Sequence, residues 1–133
     1  MYHDPCHTPI KTYNAKKLVN ELMGRQDIDV NDRCCGEAGT FAVMRPDVAT
    51  QVRFRKEEEM RKGAAKAREG GDGPVKILTA CPSCLQGLSR YDDDSGTTAD
   101  YIVVEMARHL LGENWMKEFV DKANRGGIER VLL

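Results

Sequence analysis

Val75-Lys76-Ile77-Leu78-Thr79-Ala80-Cys81-Pro82-Ser83-Cys84 is the stretch whose reading decides the fold. Its first six residues are a short, mostly apolar run that follows the loop signal Gly70-Gly71-Asp72-Gly73-Pro74, and that combination predicts a buried strand. The run stops at Cys81. Pro82 suits a first helical position, where its missing N–H has no intrahelical partner to lose, so a short helix is expected through about Tyr91. Two thiols thus stand where a strand hands over to a helix. In open α/β sheets that is where ligands bind, outside the carboxyl ends of the strands.

Working outward, the same arrangement recurs twice. Pro5 and Pro9 keep the first ten residues extended or turned around Cys6. Residues 28–33 alternate weakly and read as a short strand leading into Cys34-Cys35, with Gly36 and Gly39 making a permissive loop after them. Residues 14–23 read as a helix with Asn14 as its cap, Leu18, Val19, Leu22 and Met23 as its apolar face, and Gly24 as its stop. Pro46 opens the longest helix, 46–68, with apolar positions Val48, Val52, Met60, Ala64 and Ala67. Its charge run, Arg53, Arg55, Lys56, Glu57, Glu58, Glu59, Arg61 and Lys62, reads as a solvated face. Asp92 to Gly96 reads as a turn, and its aspartates lack the downstream glutamate of a calcium loop. Helices are expected over 100–111 and 114–124, broken by Gly126-Gly127, with a last strand over 128–133. Helices alternating with short apolar strands predict an α/β fold: a small, mostly parallel sheet flanked by helices, its cysteines gathered at the strand C-terminal ends.

The bulk properties set limits. A chain of 133 residues suits one domain and a core that needs no disulfide staples. The net charge of −1 argues against a nucleic-acid or anionic-membrane surface. No apolar run approaches the ~18 residues of a membrane span, and no signal-peptide pattern is present. A reducing, cytoplasmic location is therefore expected, where cysteines serve as metal ligands or redox thiols rather than bridges. The sequence reaches His3-Asp4-Pro5-Cys6 almost at once, which reads as a piece of a longer protein in which most of the strand before Cys6 has been lost.

The cysteines are Cys6, Cys34, Cys35, Cys81 and Cys84. Separations of 27 residues between Cys6 and Cys34 and 45 between Cys35 and Cys81 are compatible with one site at neighbouring strand ends. Thiolates are soft ligands suited to iron–sulfur clusters and zinc, and a helix start favours the thiolate form of Cys81 and Cys84. Cys81-Pro82-Ser83-Cys84 also has the C-x-x-C form of a redox dithiol, but adjacent Cys34-Cys35 is unexplained by a simple dithiol enzyme. Buried, inert thiols remain the plainest alternative.

The strings His3-Asp4-Pro5-Cys6-His7, Cys34-Cys35-Gly36-Glu37-Ala38-Gly39-Thr40-Phe41 and Cys81-Pro82-Ser83-Cys84 together resemble the cysteine-rich "CCG" domain family. That family occurs in the catalytic subunit of heterodisulfide reductase, in the iron–sulfur subunit of glycolate oxidase, in lactate-utilisation proteins, and near the C-termini of FAD-linked, D-lactate-dehydrogenase-like oxidoreductases, the group this chain looks most similar to. The resemblance spans nearly all of 1–133 and implies a single cysteine-rich domain at the C-terminal end of a multidomain protein. It implies that Cys6, Cys34, Cys35, Cys81 and Cys84 hold an iron–sulfur cluster, [4Fe-4S] and of the non-cubane kind, or zinc in its place. It implies electron transfer with the flavin-binding and other iron–sulfur domains of the parent chain, FAD lying only in those other parts. Attachment of the parent at the inner face of the membrane fits the same picture. One departure is the longer stretch between Cys35 and Cys81, with 63–74 as the expected insertion.

His3 and His7 flank Cys6 as candidates for metal binding or proton relay, against a plain carbonyl-bonded or exposed histidine. Asp4 and Glu37 adjoin the thiols and are candidates for outer hydrogen bonds to the centre or for local capping. His109 reads as structural, and Trp115 as core or a docking surface. Gly36-x-x-Gly39 is too short for a dinucleotide fingerprint, so no flavin or nicotinamide site is expected in this chain.

Overall fold

The computed structural model describes residues 1–10, 12–37, 40–69, 71 and 73–126. The chain divides into two compact units, Met1–Ile102 and Val103–Leu133.

The first unit is built on a four-stranded, all-parallel sheet of β1 (Tyr2–His3), β2 (Val30–Asn31), β3 (Val75–Thr79) and β4 (Thr97–Tyr101), in the order β2-β1-β3-β4. Every neighbouring pair runs parallel, with Tyr2 opposite Val30 on one side and Leu78 on the other. The expected α/β class is what the sheet shows. The strand order reverses between β1 and β3, and in doubly wound sheets the ligand crevice opens at that switch point. Cys6 follows β1 and Cys81 follows β3, so both flank it.

Local signals explain most elements. α1 (Ala15–Leu22) starts where the Asn14 side chain accepts the Lys17 N–H at 3.0 Å, and of its predicted face only Val19 is buried. A short α2 (Phe41–Met44) precedes α3 (Pro46–Arg68), which carries Pro46 in its first turn as predicted. α4 (Pro82–Ser89) has Cys81 at its N-cap position. The core of this unit joins Cys35, Met60, Ile77, Cys84, Leu88 and Tyr91. Beneath the sheet's thiol end, therefore, two of the cysteines are part of the hydrophobic core itself.

Three expectations need correction. Of the apolar positions expected on α3, Met60 and Ala64 are buried, but the buried face also takes in Ala49, Lys56 and Gly63, and Val48 is 38% exposed. Lys56 sits on that face and is fully buried, because residues 49, 56, 60 and 63 are spaced by whole turns and its ammonium finds polar partners inside. Residues 97–101, expected in part as loop, form edge strand β4 beside β3, and the following helix α6 (Ile102–Leu111) starts at Ile102. Asp92 to Gly96 is not an open turn but one helical turn, α5 (Asp92–Ser95), capped by Gly96.

In the second unit α6 continues from Val103 and α7 runs Trp115–Gly126. Within it Arg108 donates to Glu105, Trp115 is half-buried, and Leu110, Leu111, Met116, Phe119 and Val120 are exposed. The strand expected over 128–133 lies outside the described residues. No described helix is long and apolar enough to cross a membrane.

Candidate metal centre

The three strand ends bring the five thiols together. Cys35 and Cys84 are buried, with sulfurs 3.4 Å apart. Cys81 is half-buried, with its free thiol beside Cys84. Cys6 and Cys34 are exposed free thiols that lie beside each other, and Cys6 also feels the charge of Cys35. The described set thus reads as a continuous run of sulfurs, exposed at the Cys6–Cys34 side and buried at the Cys35–Cys84 side.

Local structure fixes that run. Gly36 turns the chain at φ +79°, a left-handed conformation that costs glycine nothing, and its N–H approaches the Cys34 sulfur at 3.4 Å. The Glu37 N–H donates to the Cys35 sulfur. The Glu37 carboxylate, with its side chain 7% exposed, is gripped by Arg90 and, at 3.7 Å, by Arg53. Gly87, one turn after Cys84, lets α4 lie directly on this loop: a Cβ there would meet the Glu37 Cγ at 2.6 Å and the Cβ and carbonyl oxygen of Cys35 at 3.2 Å. Glu37 is therefore a clamp on the loop. Asp4 is exposed, and its carboxylate accepts the Tyr2 hydroxyl at 3.0 Å, a local bond.

The electrostatics follow from packing. The Cys35 and Cys84 thiols share one hydrogen bond at 3.4 Å, and that bond, against the cost of burial, lowers the Cys35 pKa to about 4, helped by His3 and the Glu37 N–H. The same bond, with burial, pushes Cys84 up. Two buried sulfurs in contact thus share one proton. Burial raises Cys6, and neighbouring Cys34 adds to the rise.

His3 is fully buried, and one of its ring nitrogens lies within 4.8 Å of the Cys35 and Cys84 sulfurs, which lie within 4.8 Å of each other. Its Nδ1 stands 2.8 Å from the Asn31 carbonyl oxygen and 3.0 Å from Lys56 Nζ, while Nε2 is buried without an aligned partner among the described residues. His7 is exposed, as is His109. Behind His3, Lys56 also donates to Asn31 Oδ1 and, at 2.9 Å, to Glu59 Oε2. Burial lowers the Lys56 pKa, opposed first by Glu59 and then by the charges of Cys35 and Cys84. Glu59 in turn accepts the N–H groups of Asp32 and Arg33, which lead directly into Cys34. Sequence reasoning missed Lys56, Asn31, Glu59 and Gly87. The whole-turn spacing of Lys56 from Ala49 and Met60 was the available signal for the first. Gly87 gave none.

A cavity of about 320 Å³ opens at the opposite, N-terminal ends of the strands, lined by Ile28, Asp29, Lys66, Val75 and Lys76 among others. It holds no thiol and no residue of the His3–Lys56 cluster, so it lies apart from the candidate centre.

The donor set fits a metal: soft sulfurs converging from separate strand ends, with a buried imidazole nitrogen beside them that lacks a partner among the described residues. A cysteine-rich domain family model matches residues 1–89, and a domain of unknown function (DUF3400) matches 89–133. An uncharacterized iron–sulfur protein of Methanocaldococcus jannaschii is 31% identical over 71% of this chain and 19% of its own length. One subunit of the fumarate reductase (CoM/CoB) of Methanothermobacter marburgensis is 28% identical over 62% of this chain and 16% of its own length. The glycolate oxidase iron–sulfur subunit of Escherichia coli is 33% identical over 62% of this chain and 20% of its own length. The chain thus spans a fifth or less of each of these relatives. No solved structure matches.

Proposed function

This chain belongs to the cysteine-rich (CCG) domain family, and from that premise we propose that it binds an iron–sulfur cluster on Cys6, Cys34, Cys35, Cys81 and Cys84 and serves electron transfer within a larger oxidoreductase. The observation that carries the reading is the convergence of thiols from the ends of β1, β2 and β3, with Cys35 and Cys84 in sulfur contact at 3.4 Å. Relatives named as iron–sulfur proteins or subunits support the cofactor class. A cluster bound here would supply a one-electron carrier. The chain's own residues hold it and shape its surroundings: the Gly36 and Glu37 N–H groups point at Cys34 and Cys35, where such bonds favour the reduced, more negative state. Four cysteines suffice for an ordinary [4Fe-4S] cluster, and the family resemblance is what brings in the non-cubane form for a set of five.

The parent we infer is an FAD-linked oxidoreductase of the lactate or glycolate dehydrogenase kind, or one like heterodisulfide reductase. Its flavin-binding and other iron–sulfur domains would be the electron partners, and turnover would need them. The exposed Leu110, Leu111, Met116 and Phe119 of the second unit suit burial against another domain. A cytoplasmic place, at the inner membrane face through the parent, follows from this assignment.

Zinc is the second reading, favoured by the His3–Cys35–Cys84 grouping, to which Cys81 would add a fourth donor of the kind structural zinc takes. A C-x-x-C dithiol enzyme is the third and predicts that Cys35→Ser is tolerated. Anaerobic purification of the full-length protein decides. Iron, acid-labile sulfide and visible absorption, lost on changing any of Cys34, Cys35, Cys81 or Cys84, support the cluster. A colourless protein with tightly held zinc after reconstitution overturns it.

A further inference from the structure

The buried polar group behind the thiols has no part in the proposed ligand set. Lys56, Asn31 and His3 are each fully buried, and Glu59 is mostly so. Interior lysine costs several kcal/mol unless its ammonium is fully bonded. An ammonium has three N–H donors and no acceptor. Around Lys56 Nζ stand three acceptors in range: Asn31 Oδ1, Glu59 Oε2 at 2.9 Å, and His3 Nδ1 at 3.0 Å. The third N–H is satisfied only if His3 Nδ1 offers its lone pair.

A rival claim on Nδ1 comes from the Asn31 carbonyl oxygen at 2.8 Å, which would need Nδ1 to carry the proton. That oxygen already accepts the Asp4 N–H at 3.0 Å. A bond from a charged donor is roughly twice as strong as a neutral one, and a charged donor left unbonded in the interior costs more than a carbonyl that keeps one of two possible bonds. The lysine therefore prevails over the carbonyl. In a neutral imidazole the partner of one nitrogen decides the role of the other.

We propose that Lys56 is a positioning residue that fixes His3 in the Nε2–H form, so that His3 faces Cys35 and Cys84 as a hydrogen-bond donor to sulfur and not as a metal ligand. This rests on the metal-centre reading for its consequence, but not for its test. An N–H aimed at a cluster sulfur stabilises added negative charge and raises the reduction potential. Asn31 Nδ2 is also buried and without a partner among the described residues. Glu59 completes the device by balancing the lysine while holding the backbone that delivers Cys34.

The chain has three histidines, so the tautomer can be read directly. Long-range ¹H–¹⁵N correlation spectra would be recorded on reduced, metal-free, ¹⁵N-histidine-labelled protein, with His3→Gln identifying the His3 signals. The wild type is expected to show the Nε2–H pattern, and Lys56→Met to switch it to the Nδ1–H pattern as the Asn31 carbonyl takes over. A wild-type Nδ1–H pattern overturns the proposal even if Lys56→Met fails to fold, and so does a Lys56→Met spectrum without the switch. On cluster-loaded protein with unchanged iron content, Lys56→Met is expected to lower the midpoint potential, and His3 nitrogen to show only weak coupling in pulsed paramagnetic resonance. Strong, directly coordinated nitrogen coupling sinks the proposal while leaving the cluster reading intact. Absence of any iron with the Nε2–H pattern present does the reverse.

Discussion

Gly87→Ala tests the seat of the centre, because its expected sign is opposite to that of an ordinary helical glycine. In an unobstructed helix interior the exchange stabilises by about 1 kcal/mol, alanine losing less backbone entropy. At Gly87 the new methyl would lie 2.6 Å from the Glu37 Cγ and 3.2 Å from two atoms of Cys35, one of them backbone. The Glu37 side chain is the softer obstacle, yet Arg53 and Arg90 hold its far end. Overpacking of this kind costs about 1–3 kcal/mol. The net expectation is a loss of about 1 kcal/mol, or about 4 °C in the melting temperature of the metal-free protein for a chain of this size. The effect on metal should be larger than that on stability, since the displaced atoms belong to Cys35. Iron per chain after parallel anaerobic reconstitution should fall severalfold. Glu37→Ala removes both the 2.6 Å obstacle and the carboxylate held by Arg53 and Arg90, so Gly87→Ala should cost less in the Glu37→Ala background than in the wild type. Urea unfolding and iron analysis on the same samples give both readouts. A Gly87→Ala protein that melts higher than wild type and loads metal fully would refute the close seating of α4 on the Cys34–Glu37 loop.

Glu59→Gln removes the counter-charge of a fully buried lysine and weakens the bonds to the Asp32 and Arg33 N–H groups, so a destabilisation of about 2 kcal/mol is expected in urea unfolding of metal-free protein. Asn14→Ala removes the cap of α1 and should cost about 1 kcal/mol by the same measurement while leaving metal content unchanged. In reduced, metal-free protein at pH 6 one thiolate should be visible by its absorbance near 240 nm, vanish in Cys35→Ser, and disappear in wild type as pH falls through about 4. Because folding lowers the Cys35 pKa, its contribution to stability is present at alkaline pH and is lost progressively as pH falls towards about 4. Removal of bound metal should lower the unfolding midpoint but keep the helical signal, since Met60, Ile77 and Leu88 form a core without it.

The elements that carried strong local signals were legible. Pro46 marks the start of α3, Asn14 caps α1, and the apolar run before Cys81 is β3. The gathering of thiols at strand ends was equally readable, because strand-to-loop transitions in a parallel sheet meet at one edge. What escaped was decided by tertiary packing. β4 is Thr-Thr-Ala-Asp-Tyr, a polar edge strand paired on one side by β3, and its sequence offers no apolar run. Lys56 looked like one charge among many, and only the partners Asn31, His3 and Glu59, drawn from three places in the chain, make its burial tolerable. Gly87 sits in a helix pattern that says nothing of the loop pressed against it.

The division of the thiols between an exposed and a buried side has a kinetic meaning. Cys35 and Cys84 are set in a core that includes Leu88 and Ile77, whereas Cys6 and Cys34 face solvent. An incoming ion or a donor's cluster would meet Cys6 and Cys34 first, and would then be passed inward to Cys35 and Cys84. Loading of the centre would be a relay with a fixed direction, and a blocking group on the outer pair would stall delivery without disturbing the folded interior.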